Sequence, residues 1–140
     1  MTQNVEVSYI LAILNGISTI EDCLKSVLSQ DYSKENYELI VLDGGSTDGT
    51  LEAVRKMQIN NPHIKLIHNP HKLSEGKGNG KDMGVSLARG KYLVFLDHDN
   101  ILLHRDWLKN MLLPLKKDKN VMASQSLLKY RMGDSLFLKY

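Results

Sequence analysis

Two aspartates placed directly after an apolar segment are the residues with the clearest potential for chemistry. Residues 92–96 (YLVFL) are apolar or aromatic, and Asp97, His98, Asp99 and Asn100 follow at once. Two carboxylates so close together repel each other, and a divalent cation removes that repulsion. Mg²⁺ and Mn²⁺ prefer hard oxygen ligands and complete their shell with water and ligand phosphates. The pattern indicates a cation at Asp97 and Asp99, and it is equally compatible with a loop in which Asp99 or Asn100 caps a turn while Asp97 lies in water.

Polar residues also follow two other apolar segments. Asn15-Gly16 follows residues 7–14 (VSYILAIL), and Asp43-Gly44-Gly45 follows residues 37–42 (YELIVL). In an open α/β sheet, ligands bind at the carboxyl ends of the strands. A single aspartate at a strand end is usually a helix cap or a turn former. Three such ends in one chain therefore predict a ligand crevice where the ends gather.

A glycine-rich segment over residues 74–82 (SEGKGNGKD) carries Lys77 and Lys81. It is not a P-loop, because Glu75 stands where the first glycine belongs and Asp82 replaces the hydroxyl residue. It is not the GxGxxG dinucleotide fingerprint either, because the third glycine is missing in both registers. Backbone N–H groups and ammonium ions at the start of a helix are suited to a phosphate. A solvated loop explains the same composition equally well.

Alternating strands and helices are predicted to position these residues. The strands cover residues 7–14, 37–42, 64–68 and 92–96, with a fifth over 121–126, and helices begin near residues 20, 50, 83 and 106. Short, almost continuous apolar runs are typical of strands buried on both faces. Ser18 and Glu21 have the spacing of a capping box, and Cys23 lies in an apolar helical stripe, which favours core packing over a reactive thiol. The alternation predicts an α/β protein with a mostly parallel sheet.

The composition narrows the class of protein further. The chain has 140 residues, of which 42% are hydrophobic and 24% charged, with a net charge of +2, so it is a single globular domain without a charge that indicates nucleic acid. One cysteine excludes an internal disulfide framework. No apolar run approaches the roughly 20 residues of a transmembrane helix, and the five histidines do not form a convincing metal set. We expect a cytoplasmic protein.

Four segments, taken in order and followed by an aromatic-bearing helix, resemble a known family over about residues 7–112. They are residues 7–16 (VSYILAILNG), 23–32 (CLKSVLSQDY), 38–50 (ELIVLDGGSTDGT) and 80–100 (GKDMGVSLARGKYLVFLDHDN). Together they resemble the nucleotide-binding half of a family 2 glycosyltransferase. The resemblance implies a GT-A fold, that is, a Rossmann-like three-layer α/β/α domain with a mostly parallel sheet, over residues 1–140. It also implies a nucleoside-diphosphate sugar as ligand and Mn²⁺ or Mg²⁺ as cofactor.

The resemblance assigns the first two strand ends to the nucleotide. Ala12, Leu14 and Asn15 would flank the base, and Asp43 with Gly44 would help to hold the base and ribose. Gly44 replaces a second aspartate that is frequent in the family. The sequence therefore does not specify which nucleotide is bound.

The remaining positions are assigned to the diphosphate and the cation. Lys77 and Lys81 would approach the base or diphosphate. Asp97-His98-Asp99 matches the family's DxD motif, in which Asp99 would bind the metal. Asp97 or His98 would face the ribose, and Asp97 is a second candidate metal ligand.

The implied reaction is the transfer of a sugar to a hydroxyl of a glycan, lipid or protein acceptor, with inversion. The base that deprotonates the acceptor normally follows the DxD motif, in the acceptor-binding half, and this chain ends about 40 residues after Asp99. We expect the base beyond residue 140, which makes the chain the N-terminal portion of a longer enzyme or a truncated paralogue. Peripheral association with the inner face of a membrane, through that further part, stays open.

Two other functions fit part of the pattern. A nucleotide-sugar-binding module without catalysis would bind a nucleoside diphosphate with manganese and turn over no acceptor. A nucleotidyltransferase shares the sheet architecture and a glycine-rich loop. Such enzymes place that loop directly after the first strand, where this chain has Asn15-Gly16-Ile17 and no basic residue before Lys25.

Overall fold

Strands and helices alternate throughout the part of the chain that the computed structural model describes, residues 5–68 and 79–126. Most element bounds agree with the sequence-based prediction to within a few residues. In chain order the elements are β1 (Val7–Ile13), α1 (Ile20–Leu28), β2 (Tyr37–Asp43), α2 (Thr50–Asn60), β3 (Ile64–His68), α3 (Asn79–Leu87), β4 (Tyr92–Asp97) and α4 (Trp107–Lys117).

The four strands form one parallel sheet in the order β3-β2-β1-β4. Side chains from α1, α2 and α4 pack with one face of the sheet, and Met83 of α3 packs on the other face. This is the three-layer α/β/α architecture that the family resemblance implies. Because all strands run in the same direction, they all end at one edge, which we call the carboxyl edge, and begin at the opposite amino edge.

The two central strands form the interior of the protein. Every residue of β1 and β2 is buried, which agrees with their almost continuous apolar sequences. Gly84 allows α3 to approach the second face closely, since a Cβ at this position would lie 2.4 Å from Ile10 Cγ2 and 3.0 Å from Leu42 Cδ1. Side chains on both faces of the centre are therefore fixed by contact with helices.

Strand β4 differs from the expectation of a buried strand. Leu93 is 39% exposed and Phe95 is 49% exposed. On their face of the sheet, α3 packs against β1 and β2, and among the described residues β4 pairs with β1 alone. The apolar sequence of β4 specifies a strand, but it does not specify how many helices cover that strand.

The predicted fifth strand is wrong. Residues 121–126 form neither strand nor helix. They are held against α4 instead, where Ser124 Oγ donates to the Met111 carbonyl at 2.7 Å and Trp107 Nε1 donates to Ser126 Oγ at 3.1 Å. Side-chain hydrogen bonds to α4 thus take the place of pairing with the sheet.

A buried carboxylate joins several elements near the amino edge. Glu38 is 1% exposed and accepts hydrogen bonds from Ser8 Oγ at 2.7 Å, Lys65 Nζ at 2.6 Å and the Arg89 backbone N–H at 2.8 Å. Burial raises the pKa of Glu38, but the hydrogen bonds from Lys65, Ser8 and Arg89 outweigh burial and lower the pKa to about 2. The Glu38 carboxylate therefore links β1, β2, β3 and Arg89, which follows α3.

Candidate functional site

The ends of β1, β2 and β4 meet at the carboxyl edge. In the register of the sheet, Ile13 of β1 lies beside Asp43 of β2, and Ala12 of β1 lies beside Asp97 of β4. The two aspartates therefore flank the end of β1 on its two sides. The three strand ends that the sequence singles out are brought together, while their roles in binding stay predictions.

Hydrogen bonds join the loop after β1 to the loop after β2. Asn15 Oδ1 accepts from the Thr47 backbone N–H at 2.8 Å, and the Asn15 N–H donates to Ser46 Oγ at 2.9 Å. The Gly16 N–H donates to Thr50 Oγ1 at 2.9 Å. Asn15 has a φ of 54°, a left-handed conformation that asparagine tolerates better than most residues. The two loops form one connected rim at the carboxyl edge.

Asp43 shapes this rim from below. Its side chain accepts from the Gly45 N–H at 2.8 Å and from the Ser46 N–H at 3.1 Å, which is the pattern of an Asx-turn. The residue is fully buried, and the next residue, Gly44, donates its N–H to the Ile13 carbonyl at 2.9 Å. Both predicted ribose- and base-holding residues are thus engaged in holding the loop.

The three predicted base-flanking residues differ in accessibility. Ala12 is only 3% exposed, Leu14 is half-buried, and Asn15 is exposed. A ligand at this rim can therefore reach Leu14 and Asn15 directly, and it meets almost no surface of Ala12.

Asn100 closes a turn that carries the two aspartates after β4. Its Oδ1 accepts from the Asp97 N–H at 3.0 Å, and its own N–H donates to the Asp97 carbonyl at 3.0 Å. We call residues 97–100 the carboxylate turn. Asp97 and Asp99 both remain exposed on it. Asn100 is thus a turn former, as the loop interpretation expects, and Asp97 meets a cation rather than water alone.

That cation is the ammonium group of Lys81. Lys81 Nζ lies 2.8 Å from Asp97 Oδ1, and the two side chains are 34% and 54% exposed. An exposed pair of this kind contributes at most about 1 kcal/mol. Lys81, on α3, therefore reaches the carboxylate turn, while its place near a diphosphate stays a prediction. Lys77, the other predicted lysine, lies outside the described residues.

His98 is turned toward the start of α1. Its Nδ1 lies 2.7 Å from Thr19 Oγ1, and Thr19 is the N-cap residue of α1 without a side-chain capping bond. The predicted capping box is therefore wrong. Glu21, its expected second member, pairs with Lys25 one turn along the helix at 3.1 Å.

Cys23 supports the carboxylate turn from within the core. It is fully buried, and its Sγ lies 3.6 Å from the Asp97 carbonyl oxygen. Burial, and to a smaller extent the charges of Asp99 and Asp97, raises the pKa of the Cys23 thiol to about 12. The prediction that this cysteine packs in the core rather than reacts is confirmed.

The donor atoms of the carboxylate turn fit a hard divalent cation. Asp97 and Asp99 offer exposed carboxylate oxygens, and an ammonium group already lies against one of them. Within residues 5–68 and 79–126, no group of three or more His, Cys, Asp or Glu side chains could hold a metal ion. Two carboxylates are nevertheless enough for Mg²⁺ or Mn²⁺ when water and phosphate oxygens complete the shell.

In the same part of the chain, no helix has the length and apolar character needed to cross a membrane.

The sequence and fold are both similar to those of known proteins. A family model described as Glycosyl transferase family 2 matches residues 8–139. Glycosyltransferase AglE of Haloferax volcanii is 33% identical over 103 residues, which cover 74% of this chain and 33% of AglE.

Two solved structures share the fold. TarS 1–349 of S. aureus, in complex with UDP-GlcNAc, has a TM-score of 0.72 and 27% identity, over 81% of this chain and 32% of TarS. Mannosyltransferase PcManGT of Pyrobaculum calidifontis, in complex with GDP-Man and Mn²⁺, has a TM-score of 0.70 and 30% identity, over 79% of this chain and 32% of that protein. The chain spans about a third of the length of these three proteins.

Proposed function

Because this chain belongs to glycosyl transferase family 2, we propose that its carboxyl edge binds a nucleoside-diphosphate sugar as donor for transfer to an acceptor hydroxyl. The observation that carries the proposal is the carboxylate turn: Asp97 and Asp99 are exposed at the end of β4, beside the joined loops that follow β1 and β2. Two structural neighbours in complex with UDP-GlcNAc and GDP-Man support a donor of this class.

We propose that Asp99 and Asp97 hold Mn²⁺ or Mg²⁺. The complex of the mannosyltransferase neighbour with Mn²⁺ supports this choice, as do the hard oxygen donors of the turn. When bound, such a cation offsets the negative charge that develops on the departing diphosphate. The chain's own contribution is a hydrogen-bonded turn on which both carboxylates are exposed.

Lys81 has two partners in this scheme. Before ligands bind, its ammonium group neutralises Asp97. A cation held by the aspartates would replace Lys81 as the partner of Asp97, which would allow Lys81 to contact the diphosphate, and Lys77 is assigned to the same anion. Both roles follow from positive charge, and an ammonium group acts here as a point charge without the bidentate geometry of arginine.

The base and ribose are assigned to the rim formed by the first two strand ends. Leu14 and Asn15 would contact the base directly, with Ala12 beneath them. Asp43 and Gly44 keep the rim in shape, so their contribution to binding is mainly through the position of that loop. His98 stays a candidate for the ribose through ring atoms other than Nδ1.

The acceptor side of the reaction is not assigned to described residues. An inverting transfer needs a carboxylate that takes the acceptor proton, and we propose that this base lies outside the 140 residues. The length of the relatives, about three times that of the aligned part, supports a separate acceptor-binding portion.

Calorimetric titration of UDP and of GDP, each with and without Mn²⁺, tests the donor site. We expect Asp99→Ala to lose the part of the affinity that depends on Mn²⁺, on the order of a few kcal/mol. Glu35→Ala is the matched control, because Glu35 is an exposed acid two residues before β2, at the amino edge. Equal Mn²⁺ dependence in the native chain and Asp99→Ala contradicts the proposal.

A nucleotide-sugar-binding module without catalysis is the second candidate. Assays of donor hydrolysis and of transfer distinguish the two functions, since the module binds the donor with Mn²⁺ and releases no free sugar or product.

A further inference from the structure

The imidazole of His98 packs against the backbone of the connection between β1 and α1. A Cβ on Gly16 would lie 2.9 Å from His98 Nδ1 and 2.7 Å from Ile13 Cδ1, so the ring packs directly on the backbone of residue 16. Gly16 is itself buried, and its N–H is bound to Thr50 Oγ1. His98, which lies between the two aspartates of the carboxylate turn, thus packs against the connection between β1 and α1.

A hydrogen bond to Thr19 also holds the His98 ring in this position. His98 Nδ1 and Thr19 Oγ1 are 2.7 Å apart, and Thr19 Oγ1 is also 3.3 Å from the Gly16 carbonyl oxygen. Two tautomers satisfy this arrangement. Either Nδ1 accepts from the hydroxyl, or Nδ1–H donates to the hydroxyl while the hydroxyl donates to Gly16. In both cases the hydroxyl is required.

We propose that His98 is a positioning residue, which, through Thr19, holds the carboxylate turn in the form that binds the divalent cation. The inference rests on the proposed donor site, and it gives Thr19, the N-cap residue of α1, which has no carboxylate, a part in cation affinity. Residues that support metal-binding groups in this way typically change metal affinity by about 10- to 100-fold when replaced.

The physical basis is the cost of ordering the turn. Asp97 and Asp99 repel each other when both are ionised, and Lys81 pairs with Asp97 alone. Without the His98 contact, the hydrogen bonds of Asn100 and Cys23 to Asp97 would have to hold the turn by themselves. The contacts of His98 with Gly16 and Thr19 fix the residue between the two carboxylates before a cation binds. A turn that is ordered in advance does not have to be ordered by the ligand, and affinity rises accordingly.

Replacing Thr19 distinguishes a positioning role of His98 from direct contact of His98 with the cation or nucleotide. If His98 acts through Thr19, then Thr19→Val removes the hydroxyl without touching the turn and weakens Mn²⁺ binding about tenfold. Thr19→Ser keeps the hydroxyl and should bind Mn²⁺ like the native chain. If His98 contacts the cation or nucleotide directly, His98→Leu loses affinity while Thr19→Val does not.

The experiment measures free Mn²⁺ by electron paramagnetic resonance in titrations of the native chain, Thr19→Val, Thr19→Ser, His98→Leu and the double variant. We expect the loss of Mn²⁺ affinity in Thr19→Val to be no larger than that in His98→Leu, and the double variant to lose no more than His98→Leu alone, because the Thr19 hydroxyl acts through the His98 ring. His104→Leu is the matched control, since His104 is exposed in the connection between β4 and α4. Native affinity in Thr19→Val, or additive losses, overturns the proposal.

A second readout does not depend on the metal. The Asn100 N–H donates to the Asp97 carbonyl within the turn, so its hydrogen exchange reports whether the turn is formed. We expect faster exchange in Thr19→Val without Mn²⁺, at an unchanged melting temperature, and unchanged exchange overturns the positioning role. If Asp99→Ala binds Mn²⁺ normally while exchange still responds to Thr19→Val, the donor site is wrong and the tether of the turn is real.

Discussion

Glu38 near the amino edge and the two aspartates of the carboxylate turn at the carboxyl edge lie in opposite settings. Near the amino edge, Glu38 is buried and surrounded by donors from Ser8, Lys65 and Arg89. At the carboxyl edge, Asp97 and Asp99 are exposed, and the turn beneath them is the ordered part. Glu38, like Asp43 at the carboxyl edge, is satisfied by the chain itself, whereas Asp97 and Asp99, the proposed cation ligands, remain exposed. The contrast predicts that the two edges respond differently to the same changes.

Replacement of Glu38 is expected to have the largest effect on stability. Glu38→Ala leaves Lys65 and Arg89 without their shared partner and removes the acceptor for Ser8, so we expect a loss of about 3 kcal/mol in the free energy of unfolding. Urea unfolding measures it, with Glu35→Ala as control and an expected change within about 0.5 kcal/mol. Nucleotide affinity of the folded variant should be unchanged, and a large loss of affinity would mean that the two edges are not independent.

The pH dependence of stability is the next largest effect. The pKa of Glu38 is about 2 in the folded chain against an ordinary value of 4.5. Its contribution is therefore complete above about pH 4.5 and is lost as the pH falls toward 2, a change of roughly 2–3 kcal/mol. Unfolding measured across this range should show a slope that is reduced in Glu38→Gln. An equal slope in both chains would show that Glu38 is not the group responsible.

Asp97→Asn is expected to change stability least. The Lys81–Asp97 pair is exposed, so its loss should alter the free energy of unfolding by less than about 1 kcal/mol. The same change should lower the Mn²⁺-dependent affinity for UDP or GDP, because one carboxylate ligand is removed. Parallel unfolding and titration experiments check both parts. A destabilisation as large as that of Glu38→Ala would remove the distinction between the edges.

Much of the fold was predictable because its signals are local. The continuous apolar runs of β1 and β2 indicate strands covered on both faces, and these strands are indeed buried throughout. The polar strand ends and the parallel alternation together place Asp43 and Asp97 at one edge. The ordered motifs of residues 7–100 indicate the family, which the match over residues 8–139 confirms.

The features that could not be predicted depend on contacts between residues that are distant in the sequence. Glu38 lies within an apolar strand, and its partners Lys65 and Arg89 are 27 and 51 residues away. His98 and Thr19 are 79 residues apart. The local sequence therefore indicated a capping box of Ser18 and Glu21, and it contained no sign that the Thr19 hydroxyl pairs with His98. The exposure of Phe95 depends on the position of α3, which the sequence of β4 does not specify.

The position of a bound cation tests the central claim most directly. Crystals of the chain grown with UDP or GDP and Mn²⁺ would give an anomalous signal from the ion. Our account predicts a single strong peak about 2.1 Å from an Asp99 carboxylate oxygen, on the side that faces Asp97. A well-ordered nucleotide with its Mn²⁺ bound elsewhere, away from the carboxylate turn, would contradict it.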